Sequence, residues 1–414
     1  MDTIRKRDET GGPAALSRRR FLALVTIGLT GTAAISVATA CAPAAAPGPT
    51  AAPAAQPTEA PKPAAPASAP TTPPGGAPAT AAPAVSSGAA FGKPEDPSPE
   101  LWWVRDVQMS GGWTVAAENA AAAAIGQQKS FFEQEGLTPA MKPFVTGTDL
   151  PNMMAAGQVK IATGSGSLGI SVIAAGVKAR VICGHCDIAG NQGLTIRTGS
   201  GIEKPADLVG KKIGMTTGAS ITLGMRRFAR EQNVDIDKLS FVNGQPPDLV
   251  AAFGKGDIDG YAGWEPWLTN TEKLGGTQWI AGNKRFLNGK EEPAEYLLLH
   301  SYVVVMEDYL QKNPNTVAAF LRGLKKGVDF INSNPDKAVD LLVEPMRIQK
   351  EDLTKMVGQV KYDMTVDDGL IRGMNDQVDF LLELGKIPRK IEPREYMDVS
   401  ILEKQYPELV KWKA

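Results

Sequence analysis

The sequence contains few of the side chains on which enzymes most often depend. It has two histidines, His185 and His300, and three cysteines among 414 residues. It contains no His-x-x-x-His pair, no Gly-x-Ser-x-Gly elbow and no glycine-rich loop followed by Lys and Ser or Thr. The sequence therefore predicts a protein that is not an enzyme and that has no metal site and no cofactor.

Excess positive charge is also missing from the sequence. Its 44 Lys and Arg residues are balanced by 45 Asp and Glu residues, which gives a net charge of -1. Beyond the arginines near the N-terminus, no stretch is rich in Lys or Arg. Because nucleic-acid binding depends on neutralising phosphates, we expect no nucleic-acid partner.

The N-terminal arginines are part of a pattern typical of exported proteins. Ser17-Arg-Arg-Arg-Phe-Leu22 resembles the twin-arginine export signal, and an uncharged run over residues 21–40 follows it. Val37-Ala-Thr-Ala-Cys41 resembles a bacterial lipobox, although Ala38 stands where leucine is usual. We interpret residues 1–41 as an export signal and Cys41 as a lipidation site; the alternative is an uncleaved membrane anchor. Either alternative places the body outside the cytoplasm, at the outer face of the cytoplasmic membrane.

The segment that follows is composed almost entirely of small residues and proline. Residues 42–99 hold 16 of the 31 prolines in the chain. Frequent proline favours extended backbone, and the small side chains bury too little apolar surface to offset the entropy of folding. We therefore predict a disordered tether over residues 42–99, between the membrane and a folded body.

Residues 210–224 predict a short strand at 212–215, a turn that contains glycine, and a helix that begins after Ser220 as its N-cap. Two more strands are predicted at 239–242 and 258–262, with a short helix between them. Right-handed crossovers make such strands parallel, so the segments that follow them meet at one edge of the sheet. Those segments are residues 216–220, 243–245 and 263–265.

A similar alternation of strands and helices precedes this unit, with strands predicted at 101–107, 137–144, 159–163 and 179–183. Polar or aromatic residues again follow the strands. One more strand, at 297–306, is followed by helical patterns. We predict an α/β fold of two lobes facing a cleft, each a mainly parallel sheet with flanking helices. The predicted boundaries are 100–194 for the first part of lobe 1, 195–296 for lobe 2, and 297–414 for the return to lobe 1 with C-terminal helices.

Several motifs resemble one family. They lie at residues 127–137, 202–214, 248–259, 314–321 and in Gly263-Trp-Glu-Pro-Trp267. With them the chain resembles the type II periplasmic solute-binding proteins of ABC importers for sulfonates, taurine, nitrate and thiamine-precursor pyrimidines. The resemblance implies a monomeric binding protein that closes over a small-molecule solute and delivers it to a membrane permease.

The resemblance and the strand ends together give a candidate ligand site. Hydroxyl groups near the start of the 221 helix favour an anionic head group, two tryptophans favour a flat or apolar body, and two carboxylates favour an amine or ring N–H. We therefore expect an amino-sulfonate or a nitrogen heterocycle such as a pyrimidine. The candidate residues are Asp106, Met109, Trp113, Gly164, Ser165, Ser167, Thr216, Thr217, Ser220, Thr222, Trp264 and Glu265.

Two enzymatic alternatives stay open from the sequence. Cys183-Gly-His-Cys186 matches the redox motif of protein disulfide isomerases, although the residues that follow do not favour a helix. With Cys41 lipidated, Cys183 and Cys186 are the even pair expected of a small disulfide outside the cytosol, and two free thiols are the alternative. The second alternative is a pyrimidine-precursor synthase, an enzyme class that resembles this family in fold.

The export interpretation predicts the effect of one substitution. Cys41→Ser removes the thiol that would carry lipid, so we expect the variant to be released from the membrane fraction or to keep its signal as an anchor. Cell fractionation and mass spectrometry of the N-terminus measure this. Wild-type protein found in the cytoplasm with its first residues intact would show that the interpretation is incorrect.

Overall fold

The computed structural model of the protein describes residues 91–109, 112–115, 117–144 and 150–413. The predicted export signal, Cys41 and most of the predicted tether lie outside these residues. Within the described part of the chain, no helix is both long enough and apolar enough to cross a bilayer.

The first lobe is built around a six-stranded sheet in the order β2-β1-β4-β13-β5, with β3 also paired to β1. Residues 161–165 and 300–306 form its centre, and most of their side chains are buried. The strands are β1 Glu100–Met109, β2 Gly112–Val115, β3 Ala140–Phe144, β4 Ile161–Ser165, β5 Ala179–Asp187 and β13 His300–Met306.

The second lobe is built around a seven-stranded sheet in the order β12-β11-β10-β6-β9-β7-β8. The parallel trio predicted from the sequence is confirmed, with β7 paired in parallel to both β8 and β9. The meander of β10, β11 and β12 was not predicted. The strands are β6 Gln192–Arg197, β7 Lys212–Met215, β8 Ser240–Val242, β9 Gly260–Trp264, β10 Gly276–Ala281, β11 Lys284–Leu287 and β12 Lys290–Pro293.

Helices flank both sheets, as the sequence predicts for an α/β fold. The helices in the second lobe are α4 Ile221–Glu231, α5 Pro246–Lys255 and α6 Trp267–Lys273. Those in the first lobe are α1 Ala117–Gln128, α2 Leu150–Ala155, α3 Gly166–Ala174, α7 Glu307–Lys312, α8 Pro314–Ser333, α9 Pro335–Met346, α10 Lys350–Gly358, α11 Asp368–Glu383, α12 Pro393–Tyr396 and α13 Ser400–Gln405.

Both sheets are mixed, whereas the sequence indicates mainly parallel sheets. Part of the difference comes from the antiparallel pairs β1–β2, β10–β11 and β11–β12. The rest comes from the strands that follow the two crossings between the lobes, at residues 188–191 and 294–299. After the first crossing, β6 lies antiparallel to β9 and β10. After the second, β13 lies antiparallel to β4 and β5 and separates them. A strand that arrives from the opposite lobe runs against the local βαβ direction, and periodicity along the sequence cannot reveal this.

Residues 91–99 are docked on the first lobe, which corrects the C-terminal end of the predicted tether. The carboxylate of Glu95 accepts hydrogen bonds from the backbone N–H groups of Asn315 (3.2 Å) and Thr316 (2.9 Å), at the start of α8. Asp96 accepts a hydrogen bond from the hydroxyl of Tyr309 at 2.7 Å. The N–H groups at a helix start lack partners within the helix and attract negative charge. Two acidic residues in a proline-rich segment therefore fix its last residues on α7 and α8.

The alanine-rich α1 packs closely on α8 in the core of the first lobe. Residues 120–124 are five consecutive buried alanines, and a β-carbon added to Gly327 of α8 would lie 2.1 Å from the carbonyl oxygen of Ala122. The rings of Phe132 and Phe320 stack beside this contact with their centroids 5.6 Å apart. Small residues on both helices thus bring the two backbones together, as dense core packing requires.

This contact predicts the outcome of a pair of glycine substitutions. Gly327→Ala places a methyl group against backbone that cannot move aside, so we expect the free energy of unfolding to fall by about 1–3 kcal/mol, as for other overpacked cores. Gly358→Ala is the matched control, because Gly358 ends α10 with no atom within 4 Å of an added β-carbon. We expect the control to be neutral or to stabilise by up to about 1 kcal/mol. Urea denaturation measures both, and equal midpoints for the two variants would contradict this account.

Candidate functional site

The predicted loops of the second lobe meet at one edge of its sheet. Thr216, after β7, donates its hydroxyl hydrogen bond to the carbonyl oxygen of Gly244, after β8, at 2.9 Å. The backbone N–H of Thr217 donates to Oδ1 of Asn243, also at 2.9 Å. These contacts confirm that the segments after β7 and β8 lie side by side, as expected at the carboxyl ends of parallel strands.

The hydroxyl groups predicted to hold an anion already have acceptors within the protein. Besides Thr216, the hydroxyl of Thr222 lies 3.6 Å from Sδ of Met215, and the hydroxyl of Ser220 donates to Oε1 of Gln377 at 2.8 Å. Ser220 directly precedes α4, but its backbone is helical and its side chain makes no capping hydrogen bond. The N-cap prediction is therefore wrong for the side chain. Instead, the Ser220 hydroxyl donates its hydrogen bond to Gln377 of α11, which belongs to the first lobe.

Backbone donors remain available at this corner. Among the described residues, the N–H groups of Gly218, Ser220 and Ile221 have no acceptor. Gly218 has a positive φ of 87°, which favours glycine and turns the chain into α4. The start of an α-helix carries partial positive charge, so this turn is suited to an anionic group.

The corresponding part of the first lobe has no loop between strand and helix. The sequence indicates a loop over residues 164–167, but β4 runs through Gly164 to Ser165 and α3 begins at Gly166. Ser167 therefore lies in the first turn of α3. The backbone N–H groups of the first turn of α3 therefore lie where a loop was predicted.

A cluster of buried polar side chains near the end of β4 was missed by the sequence analysis. The hydroxyl of Ser301 lies 2.7 Å from Oδ1 of Asn119 and 3.2 Å from the carbonyl oxygen of Gly164. The hydroxyl of Thr163 donates to the carbonyl oxygen of Asn119 at 3.0 Å. These side chains join α1, β4 and β13 at the edge of the first sheet that corresponds to the carboxyl end of β4.

Three candidate residues lie in the N-terminal hairpin. Asp106 and Met109 belong to β1, and Trp113 belongs to β2, where it pairs with Gln108. A loop was expected over residues 108–113, but β1 extends to Met109 and β2 begins at Gly112. The side chains of Asp106, Met109 and Trp113 lie outside the described residues, so their predicted contacts with solute stay predictions.

Trp264 and Glu265 lie at the end of β9, as the sequence predicts. Their side chains were expected to contact solute, but both contact other residues of the protein. Trp264 is half-buried and packs against the apolar cluster beneath α5 and α6. Glu265 is 2% exposed; its Oε2 accepts a hydrogen bond from the N–H of Thr269 at 2.9 Å, and its Oε1 lies 3.4 Å from Nζ of Lys355 in α10. The carboxylate predicted to receive an amine therefore already has a cation.

Ion pairs connect the lobes on both sides of the candidate site. Next to Glu265, Lys355 also pairs with Glu272 of α6 at 2.5 Å, and Lys273 of α6 pairs with Asp352 of α10 at 2.6 Å. A cavity of about 350 Å³ lies among these α6 and α10 side chains. At the other side, Arg226 and Arg227 of α4 pair with Glu383 and Asp376 of α11, at 2.7 Å and 2.6 Å. The two arginines in the middle of α4 are therefore paired with carboxylates of the opposite lobe.

Tyr302 and Gln377 are further residues that the sequence analysis missed. Gln377 is completely buried and lies in the otherwise apolar stripe of α11 that Leu370, Met374 and Leu381 form. A glutamine in such a stripe is a signal that was available from the sequence. Tyr302 of β13 is also completely buried, but an apolar strand that contains one tyrosine gives no comparable signal.

Cys183 and Cys186 do not form the expected disulfide. Both lie in β5, where Cys183 pairs with Val303 and Cys186 with Ser301, and both thiols are buried and are not joined. Along a strand, residues three positions apart have Cα atoms roughly 10 Å apart, beyond the ~7 Å limit for a disulfide. The prediction placed the end of the strand at Cys183, whereas it continues to Asp187.

The buried motif also lacks the properties of a redox centre. Burial raises the pKa of the Cys183 thiol far above its usual value, against a smaller opposing effect of a hydrogen bond from the backbone of Val303. The reactive thiolate is therefore absent near neutral pH. Burial, together with the nearby His300, lowers the pKa of His185 to about 4, so His185 is neutral. No group of three or more His, Cys, Asp or Glu residues in the described ranges could hold a metal ion.

Comparison with known proteins places the fold among binding proteins and one group of enzymes. The chain is 26% identical over 302 residues to the taurine-binding periplasmic protein of Escherichia coli (strain K12), covering 66% of this chain and 87% of that protein. The structure of the periplasmic aliphatic sulphonate binding protein SsuA from Escherichia coli is similar, with a TM-score of 0.60, 16% identity, and coverage of 73% and 92%. A point mutant of DSZB in complex with biphenyl-2-sulfinic acid is also similar, with a TM-score of 0.57, 12% identity, and coverage of 75% and 99%. The structure of the desulfurization enzyme DSZB has a TM-score of 0.52 at the same identity and coverage.

A family match covers the part of the chain that builds the site. The sequence model described as NMT1/THI5 like matches residues 117–338, which is more than half of the chain. This range contains both crossings between the lobes, all of the second lobe and β13. The chain therefore belongs to the NMT1/THI5-like family.

Proposed function

We propose that this protein is the solute-binding component of an ABC importer, exported and held at the membrane through Cys41, and that its solute is a small organic anion of the amino-sulfonate class. The proposal is supported by the taurine-binding relative and by the fold shared with the sulphonate-binding protein. The observation that carries it is the turn before α4, where the N–H groups of Gly218, Ser220 and Ile221 have no acceptor among the described residues. The hydroxyl of Ser220 in this turn donates to Gln377 of the opposite lobe.

The charge distribution around this turn favours an anionic head group. The two arginines of α4 are paired with acidic residues of α11, so the helix start and its N–H groups are the donors that remain for a ligand. Hydrogen bonds from backbone N–H to a charged oxygen are stronger than those between neutral groups. An ammonium group at the same place would face only donors and the positive end of the helix.

The amine end of the proposed solute was expected to bind a carboxylate. Glu265, the expected partner of an amine or ring N–H, is paired with Lys355. Of the two solute classes expected from the sequence, the surroundings of α4 and of Glu265 therefore favour the sulfonate over the pyrimidine. Delivery to a permease rests on the family resemblance alone.

Enzymatic alternatives have no comparable support. The similarity to a desulfurization enzyme concerns the fold, and a fold can be common to binding proteins and enzymes. The only motif in the sequence that suggested covalent chemistry, at residues 183–186, is buried within a strand. A binding role therefore agrees best with the described residues.

A solute panel tests the proposal. Taurine, ethanesulfonate, nitrate and a neutral pyrimidine are added separately to the purified protein, and the melting temperature is measured. A ligand that binds only the native state raises the melting temperature by mass action. We expect the two sulfonates to raise it most. A protein that responds to no member of the panel would contradict the proposed role.

A glycine substitution tests the turn itself. Gly218→Ala forces a side chain into a left-handed conformation and displaces the adjacent N–H groups, so we expect affinity for ethanesulfonate to fall by about ten- to a hundredfold, as for loss of a hydrogen bond to a charged group. Gly199→Ala is the matched control: its φ of 78° carries the same strain, and no atom lies within 4 Å of the added carbon. Titration calorimetry compares the two, and equal affinities would exclude the turn as the binding position.

A further inference from the structure

Two buried side chains meet at the first residue of α3. A β-carbon added to Gly166 would lie 3.3 Å from the hydroxyl oxygen of Tyr302 and 3.5 Å from Cγ of Gln377. Tyr302 and Gln377 are both completely buried. Because Gly166 has no side chain, a tyrosine from β13 and a glutamine from α11 both reach the start of α3.

The hydrogen bonds at this position are incomplete. Among the described residues, the hydroxyl of Tyr302 and the amide nitrogen of Gln377 have no partner. The amide oxygen of Gln377 accepts the hydroxyl of Ser220. A buried polar group without a partner lowers stability, so two donors of this kind beside one helix start make the position a candidate for a further bound molecule.

The missing partner must be an acceptor. The amide nitrogen of Gln377 can only donate. Burial keeps the Tyr302 hydroxyl protonated, since it raises the pKa of that group well above its usual value. The N–H groups of Gly166, Ser167 and Leu168 also lack acceptors among the described residues and add the positive end of the α3 dipole. The Gln377 amide nitrogen and the three backbone N–H groups can only donate, and the protonated Tyr302 hydroxyl can donate as well, so the position suits an oxyanion better than an ammonium group.

The position also lies between the lobes. Ser220 precedes α4 in the second lobe, and Gln377 belongs to α11 in the first, so their 2.8 Å hydrogen bond connects the starts of α3 and α4 through one amide. An oxyanion at this position would contact both lobes. Separation of the lobes would break the Ser220 hydrogen bond and give a solute access to Gln377.

We propose that Tyr302 and Gln377 determine solute specificity by donating hydrogen bonds to the oxyanion of the solute at the start of α3, with Ser220 fixing the orientation of the Gln377 amide. This inference rests on the proposed solute-binding role and names the residues that select an anionic head group. The residues that would select the solute therefore lie on β13 and α11, and not in the loops that follow the parallel strands.

The test separates a binding role from a structural one. Tyr302→Phe removes a hydroxyl that has no partner in the protein, so the solute-free variant should melt at or above the wild-type temperature. Its affinities for taurine and for ethanesulfonate should both fall at least tenfold, because both share the sulfonate. Tyr396→Phe is the matched control, since the hydroxyl of Tyr396 is also buried without a partner among the described residues; it should leave both affinities unchanged.

A second variant addresses Gln377 without removing its bond to Ser220. In Gln377→Glu the carboxylate can still accept the Ser220 hydroxyl, but the N–H donor is replaced by an oxygen. We expect ethanesulfonate affinity to fall more than tenfold near pH 7 and to recover partly at lower pH, where a protonated carboxyl can again donate. Melting curves of the solute-free variant show whether it is folded.

Each result decides for or against the inference. Sulfonate affinities within twofold of wild type in Tyr302→Phe would overturn it and would assign a bound water to the site. An equal loss in Tyr396→Phe would also overturn it. If the wild-type protein binds the neutral pyrimidine and no sulfonate, the inference fails while the solute-binding role stands; if it binds nothing in the panel, both fail.

Discussion

The backbone hydrogen bonds of the two crossing strands constrain the rest of the structure. β6 and β13 each arrive from the opposite lobe and pair on both sides, β6 with β9 and β10, and β13 with β4 and β5. Central strands cannot shift register without moving every side chain to the other face of the sheet. The crossings therefore fix where the chain leaves one sheet and enters the other, and the candidate site lies beside them.

The lobe contacts differ in their physical character. The pairs between α6 and α10, and between α4 and α11, join partly exposed charges, which contribute little and weaken as salt screens them. The hydrogen bond between Ser220 and Gln377 is buried and is not screened in this way. Exposed ion pairs thus hold the lobes weakly beside the buried hydrogen bond between Ser220 and Gln377, an arrangement compatible with opening and closing around a solute.

The sequence predicted the local units well and their assembly less well. Strand 212–215, the helix after Ser220 and the parallel trio follow from short-range patterns, and the structure confirms them. The antiparallel insertion of β6 and β13 depends on contacts distant in sequence, which periodicity does not encode. The predicted disulfide between Cys183 and Cys186 was wrong because the strand was expected to end at Cys183, whereas β5 continues to Asp187. Gln377 could have been found as a polar residue in an apolar helical stripe, but its approach to Gly166 and Ser220 requires the fold.

The central claim is that a solute oxyanion is bound between the starts of α3 and α4. A crystal structure of the protein with ethanesulfonate bound tests it most directly. The account predicts sulfonate oxygens within hydrogen-bonding distance of the Tyr302 hydroxyl and the Gln377 amide nitrogen. A sulfonate bound elsewhere in the protein, with Tyr302 and Gln377 hydrogen-bonded only to water, would contradict the account.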